Sequence, residues 1–216
     1  SSSNPIEKVR TGSAEVSVRE AMDFWSFAAA AANVVMQLAV PGVGYGVIES
    51  KVDSGSILKH PWKRLRTTSQ YLAVAVFGSD EDRDVFREAV DVAHRQVISS
   101  PESPVRYNAF DRELQMWVAA CLFVGLEDTY LLLRGEMTPE QAEQFYRSAW
   151  TLGTTLQVAD DQWPATRAEF DSYWDTACKQ VVIDPPVRDY LSDLINLRMI
   201  NPILGLPFRP LLKFLT

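Results

Sequence analysis

Imidazole chemistry in this chain depends on two residues, because His60 and His94 are the only histidines among its 216 residues. His94 shares one helical face with Phe86, Val90 and Val97, which predicts a core-facing position. A buried imidazole needs partners for its ring nitrogens. His94 is therefore either a core histidine bonded to a backbone carbonyl or a ligand of a metal or haem. His60 lies in a basic stretch and is interpreted as a solvated loop residue.

Arg64 and Thr68 are four residues apart, so on a helix they share one face with Tyr71 and Ala75. That face is apolar further along, which directs Arg64 towards the core. A buried guanidinium needs an anion, because an unpaired charge there is strongly unfavourable. The anion is either an acidic side chain such as Glu49 or a bound carboxylate or phosphate.

Glu49 ends an uncharged stretch and follows a glycine-rich segment, Pro41–Gly46, that we interpret as a turn. One interpretation has its carboxylate reach solvent or neutralise Arg64. The other places it at the edge of an apolar cavity, where a carboxylate can act as a general base.

Composition excludes several classes of protein. A net charge of −7 argues against nucleic acid as the main partner. Two cysteines, Cys121 and Cys178, cannot form a cysteine-rich zinc site or a disulfide framework. No phosphate-binding glycine loop or nucleophile-elbow motif is present. A di-iron carboxylate bundle needs two Glu-x-x-His motifs, and the nearest match is Asp91-Val-Ala-His94.

Start and stop signals predict helices and no strands. Capping boxes begin at Ser17, Thr138 and Thr166, while Ser79 and Asp111 are predicted N-caps. The expected helices run from 17 to about 40, 61–77, 80–97, 112–133, 139–152, from 167 onwards, and 187–199. We expect an all-α fold of about eight helices, with a flexible segment at 1–16 and one domain at 17–216 without a C-terminal extension.

An apolar stretch without charges runs from Phe24 to Ile48 and is long enough to cross a membrane. Pro41 and Gly42 interrupt it, and the alanine run Ala28–Ala32 suits close helix packing, so a buried core helix is the favoured interpretation. No basic segment precedes an early apolar stretch, so we expect no signal peptide. The expectation is a cytoplasmic protein, with membrane-surface or protein contact through the apolar segments left open.

Six aromatic residues at mostly helical spacing are expected to pack in the core and to be able to wall a large apolar cavity. They are Trp117, Phe123, Trp150, Trp163, Tyr173 and Trp174.

Several ordered motifs together resemble the MpaB-like, latex-clearing-protein family of oxygenases. They are Ala32–Ser50, Arg64–Thr68 with Tyr71–Gly78, His94–Val97, Tyr107–Asp111, Leu114–Val118, Trp163–Thr166, Phe170–Tyr173 and Leu197–Pro210. The resemblance implies an all-α fold that binds haem b and cleaves isoprenoid double bonds with O2.

The resemblance also implies roles for individual residues. By position, His94 resembles the proximal haem ligand, Arg64 and Thr68 resemble distal-side residues, and Glu49 resembles the proposed base. Thr67 matches a lysine that can cap the iron in latex-clearing members.

Two further positions depart from the family pattern. Val40 and Ala119 stand where many relatives carry histidine.

The sequence leaves three hypotheses about function. The first is a haem-dependent oxygenase acting on an isoprenoid or lipid-like substrate. The second is a non-catalytic helical binding or scaffold protein, and the third is a haem sensor or carrier.

Overall fold

A computed structural model describes residues 16–21, 30–50 and 61–195 of the chain, and the architecture within these ranges is all-α. A short 3-10 helix at Val18–Ala21 precedes nine α-helices in the described part. These are α1 (Ala30–Leu38), α2 (Pro41–Ile48), α3 (Pro61–Phe77), α4 (Asp80–His94), α5 (Arg112–Arg134), α6 (Pro139–Ser148), α7 (Thr151–Thr154), α8 (Arg167–Cys178) and α9 (Pro185–Ile195).

The predicted caps position most helix ends. Ser79 and Thr138 each accept a hydrogen bond from the third helical residue, whose side chain bonds back to the cap, so both capping boxes form. Asp111 caps α5, which ends at Gly135 with a left-handed φ of 87°. Thr166 caps α8 as expected.

Two of the predicted helix starts, at Thr166 and Ser17, differ in part from the structure. At the predicted box that begins at Thr166, Glu169 accepts from the backbone of Ala165 and not from that of Thr166, so only the Thr166 half forms. Near the N-terminus, a 3-10 helix follows Ser17, and Val18 donates its backbone N–H to the Ser148 hydroxyl. Residues 22–29 lie outside the described ranges.

The segment Pro41–Gly46, predicted as a turn, belongs to α2. Pro41 occupies the first turn of this helix, where its missing N–H costs nothing. Gly44 allows α9 to approach closely, because a Cβ there would lie 2.8 Å from the Leu38 carbonyl oxygen and 3.0 Å from Val187 Cγ2. Tertiary packing therefore stabilises a helix that local glycine content disfavours.

Two helices end earlier than predicted. Helix α4 stops at His94 and not near Val97, and the helix expected to reach Leu152 ends at Ser148, with α7 as a separate short turn. Helix α9 begins at Pro185, two residues before the predicted start, and its predicted end at 199 lies outside the described residues.

Helix α5 is the centre of the larger core. Its residues Met116, Ala119, Ala120 and Phe123 are at most 1% exposed. Around them pack buried aromatic residues from α6, α8 and the segment between α7 and α8, namely Phe145, Tyr146, Trp163 and Phe170.

A smaller second core joins α1, α2 and α9. It contains Leu38, Tyr45, Tyr107, Val187 and Leu191.

The predicted packing of the aromatic residues is largely confirmed. Trp117, Phe123 and Trp163 are buried, and Tyr173 and Trp174 are half-buried against the larger core. Trp150 is the exception, since its side chain is 44% exposed. It immediately precedes the short helix α7, at the point where the chain turns out of α6.

Helix α5 is also the one described helix that is long and apolar enough to cross a membrane, by length and composition alone. More than half of its most apolar stretch, 56%, is buried inside the protein. The uncharged stretch Phe24–Ile48 has its first residues outside the described ranges, and its described part forms the two helices α1 and α2.

Candidate functional site

His94 is the last residue of α4 and is half-buried. Its ring and the ring of Phe110 pack at right angles, with centroids 6.3 Å apart and planes at 89°. Its Nδ1 atom is shielded from solvent. The side chain of His94 thus faces the protein as predicted, but it is only half-buried, since no residue of α4 is fully buried.

The loop 95–111 doubles back and brings two aromatic residues to the site. Ala109 donates its backbone N–H to the Val97 carbonyl, and Ser99 donates to the Tyr107 carbonyl, both at 2.9 Å. This pairing directs Phe110 towards His94. It also lays the ring of Tyr107 against α2, within 3.5 Å of where a Cβ on Gly46 would lie.

A polar network holds this loop against two helices. Asp91 of α4 accepts a hydrogen bond from the Gln157 side chain. The backbone N–H of Gln157 donates to the side-chain oxygen of Gln115 at 2.6 Å. The amide nitrogen of Gln115 in turn donates to the Ala109 carbonyl at 2.7 Å.

This network lies partly inside the protein, since Gln115 is only 5% exposed. Satisfied buried amides of this kind fix a single local geometry. Its members are far apart in sequence, so reasoning from the sequence missed it. The available signal was a glutamine at position 115 within the apolar face of α5.

Glu49 follows the last residue of α2 and is half-buried. Its Oε2 atom accepts hydrogen bonds from the Ser103 hydroxyl at 2.6 Å and from the Tyr107 hydroxyl at 2.8 Å. Burial, reinforced by the Glu49 carboxylate, raises the pKa of Tyr107 to about 12, so its phenol stays a proton donor at neutral pH.

A second pair of tyrosine and carboxylate lies beside the first. The Tyr45 hydroxyl donates to Asp184 Oδ2 at 3.2 Å. Burial, then Asp184 and more weakly Glu49, raise the pKa of Tyr45. Together the two pairs make a polar end to the otherwise apolar second core.

Arg64 and Thr68 lie on α3, which forms an antiparallel hairpin with α4. The rings of Tyr71 and Phe86 face each other across the hairpin with centroids 6.0 Å apart. Along the chain, Tyr71 and Phe86 are about equally far from the connection at Gly78 and Ser79. The backbone of Arg64, near the start of α3, therefore lies at the same end of the hairpin as His94, the last residue of α4.

The side chains of this face are described in part. Thr68 is half-buried, whereas Arg66 and Thr67 are exposed. The side chain of Arg64 and the whole of His60 lie outside the described residues, so their predicted environments stay predictions.

The two positions where relatives carry histidine lie in different surroundings. Ala119 is completely buried in the middle of α5, and Val40 is half-buried at the start of α2.

The donor set at His94 meets the needs of haem iron better than those of a bare metal ion. Haem supplies four equatorial nitrogens, so the protein needs to contribute only one or two axial ligands. A protein-held metal ion needs three or four ligands. In the parts of the chain that the structure describes, no group of three or more His, Cys, Asp or Glu side chains lies close enough together to hold an ion.

Comparison with known proteins identifies related sequences. Residues 18–216 match the family described as the ER-bound oxygenase mpaB/B'/rubber oxygenase catalytic domain. Two proteins described as uncharacterized, one from Mycobacterium bovis and one from Mycobacterium tuberculosis, are each 55% identical to the chain over 166 residues. The matched region is 77% of this chain and 65% of each relative's length. No solved structure matches the chain.

The all-α architecture, predicted from the sequence, and the match over almost the whole chain lead to one assignment. The chain belongs to the mpaB/rubber oxygenase catalytic-domain family.

Proposed function

We propose that this chain is a haem b-binding oxygenase that acts with O2 on a large apolar substrate of isoprenoid or lipid type. The observation that carries the proposal is the half-buried His94 at the end of α4, in a chain that belongs to an oxygenase catalytic-domain family. When bound, the haem would supply the redox chemistry with O2.

His94 would hold the iron through a neutral imidazole nitrogen. The ring of Phe110 packs at right angles to the imidazole, and the backbone hydrogen bonds of the loop 95–111 hold Phe110 in turn. Packing against Phe110 would restrain the orientation of the imidazole that would hold the iron.

Arg64 and Thr68 would act on the same side of α3. Arg64 lies at the level of His94 on the hairpin, where its guanidinium would bind a haem propionate or another anion. Thr68 is one helical turn away and half-buried, so its hydroxyl would line the same space. Thr67 stands at the position of a family lysine and would leave that position without a cation.

Glu49 would accept a proton from the substrate carbon next to the double bond. Its half-buried carboxylate lies where α2 meets the loop 95–111, the same loop that carries Phe110 to His94. The second core packs against α2, so the protein interior beside Glu49 is apolar.

Reconstitution with haem b tests the proposal directly. We expect the purified chain to bind haem and show a Soret band. His94→Ala should weaken or remove the band, because it deletes the axial imidazole, whereas His60→Ala, the matched histidine control, should leave it unchanged. Retention of the band in His94→Ala would contradict the assignment.

Absence of haem binding in the unmodified chain would favour the second hypothesis, a helical binding or scaffold protein. One observation supports this alternative: the fully buried Ala119 occupies a position where relatives carry histidine. A haem-loaded chain that consumes no O2 with emulsified polyisoprene or a polyprenyl alcohol would instead indicate a haem sensor or carrier.

A further inference from the structure

The two hydroxyl groups that contact Glu49 point to a role in catalysis that goes beyond packing. Ser103 and Tyr107 come from the same loop, and both donate to a single oxygen of the carboxylate, Oε2. Among the described residues no donor reaches the other oxygen, Oε1. Within the described part of the chain, one carboxylate oxygen is thus occupied and the second is open to a ligand.

The direction of each hydrogen bond is fixed by its surroundings. The Ser103 hydroxyl oxygen accepts the backbone N–H of Ser100 at 3.0 Å, which leaves its proton for Glu49. The Tyr107 phenol is 7% exposed, and its pKa of about 12 keeps it protonated at working pH. A carboxylate that accepts two such bonds is held in one rotamer.

The backbone around the two donors is also restrained. Ser99 donates its N–H to the Tyr107 carbonyl, and Ser103 donates its N–H to the Ser100 carbonyl. Pro101 and Pro104 limit the φ angles of the intervening turn. The ring of Tyr107 lies over Gly46, on the same helix that ends at Glu49.

We propose that Ser103 and Tyr107 are positioning residues that fix Oε2 of Glu49 and aim Oε1 at the substrate. This inference rests on the proposed oxygenase function, in which Glu49 accepts the substrate proton. Neither hydroxyl touches the reacting carbon, and both act through the orientation of the carboxylate.

Turnover measurements test the catalytic consequence in the haem-loaded chain. With emulsified polyisoprene and O2, Tyr107→Phe and Ser103→Ala should each lower kcat about tenfold, the expected loss for one hydrogen bond to a charged group. KM should change little, because the substrate-binding surface is kept. Ser103→Thr retains a hydroxyl and should restore most of the activity lost in Ser103→Ala.

The matched control removes a hydroxyl from the same cluster without touching Glu49. Tyr45→Phe deletes the hydrogen bond to Asp184 and should leave kcat within about twofold. An equal loss of kcat in Tyr45→Phe would indicate a general structural effect of the cluster and would overturn the positioning role.

A spectroscopic measurement on the haem-free chain separates this inference from the proposed function. The infrared difference between the unmodified chain and Glu49→Gln isolates the carboxylate stretches of Glu49. The double variant Tyr107→Phe with Ser103→Ala should shift these bands towards those of a water-solvated carboxylate, with unchanged circular dichroism. The single variants serve if the double variant does not fold.

The outcomes are distinct. Unshifted bands overturn the inference whatever the activity. Shifted bands with unchanged kcat also overturn it, because the hydroxyls would then hold Glu49 without consequence for turnover. If the unmodified chain has no oxygenase activity at all, the proposed function fails, and with it the catalytic half of the inference, while shifted bands would still support the hydroxyl contacts themselves.

Discussion

At the scale of single residues, the buried glycines of α2 determine how closely other parts of the chain approach this helix. Gly44 and Gly46 are both buried in this helix, yet they meet different neighbours. A Cβ on Gly44 would lie 2.8 Å from a backbone oxygen, whereas on Gly46 the nearest atom would be 3.5 Å away. The first distance is a clash, and the second is an ordinary contact.

These distances predict opposite effects of the same substitution. Gly44→Ala should lower the free energy of unfolding by about 1–3 kcal/mol through overpacking. Gly46→Ala should be neutral or raise it by up to about 1 kcal/mol, because alanine favours the helix. Urea unfolding of both variants measures the difference, and equal destabilisation would contradict the assigned packing at Gly44.

Contacts between individual residues far apart in the chain could not be predicted from the sequence. The apolar face of α3 located Thr68, Tyr71 and Ala75 correctly, because helical spacing is a local property. It did not reveal that Ser103 and Tyr107 contact Glu49, since these contacts join residues 54 and 58 positions apart. Pairings at that separation depend on how the helices pack, which no local pattern encodes.

At the scale of elements, helix caps were the most predictable features. The side chains of Ser79, Asp111, Thr138 and Thr166 all cap the helices that they were predicted to begin. Capping depends on three or four adjacent residues, so the sequence contains the whole interaction. The glycine-rich helix α2 was predicted wrongly, because contacts with α9 and the loop 95–111 outweigh its weak intrinsic propensity.

Removal of one cap tests the contribution of such a signal. Ser79→Ala should lower the free energy of unfolding by about 1 kcal/mol, because Asp82 loses its partner at the start of α4. Ser172→Ala, at an exposed position inside α8, is a suitable control and should change it by less than about 0.5 kcal/mol. Chemical denaturation of both variants gives the comparison, and an equal effect would mean that the cap adds nothing.

At the scale of the whole molecule, burial of phenols couples stability to alkaline pH. Burial raises the pKa of Tyr71, Tyr146 and Tyr173 well above the ordinary value of 10.0, and that of Tyr107 to about 12. Above pH 10 the unfolded chain releases these protons while the folded chain keeps them. Stability should therefore be constant with respect to these groups below pH 10 and fall as pH rises above it.

Tyr71 offers the clearest test, because its phenol is fully inside the core and donates to the Leu152 carbonyl. One such group should steepen the fall by up to about 1.4 kcal/mol per pH unit. Tyr71→Phe should be less stable at neutral pH but lose stability less steeply above pH 10. Urea titrations across this range measure the slope, and an unchanged slope would show that Tyr71 ionises normally in the fold.

The loop 95–111 has a consequence for how the family site can vary. The backbone hydrogen bonds of this loop place Tyr107 beside Glu49 and Phe110 beside His94. A single short stretch of chain therefore contacts both the candidate base and the candidate iron ligand. A residue inserted between Tyr107 and Phe110 would change the spacing of these two contacts, and one inserted between Ser99 and Tyr107 would displace Ser103 from Glu49.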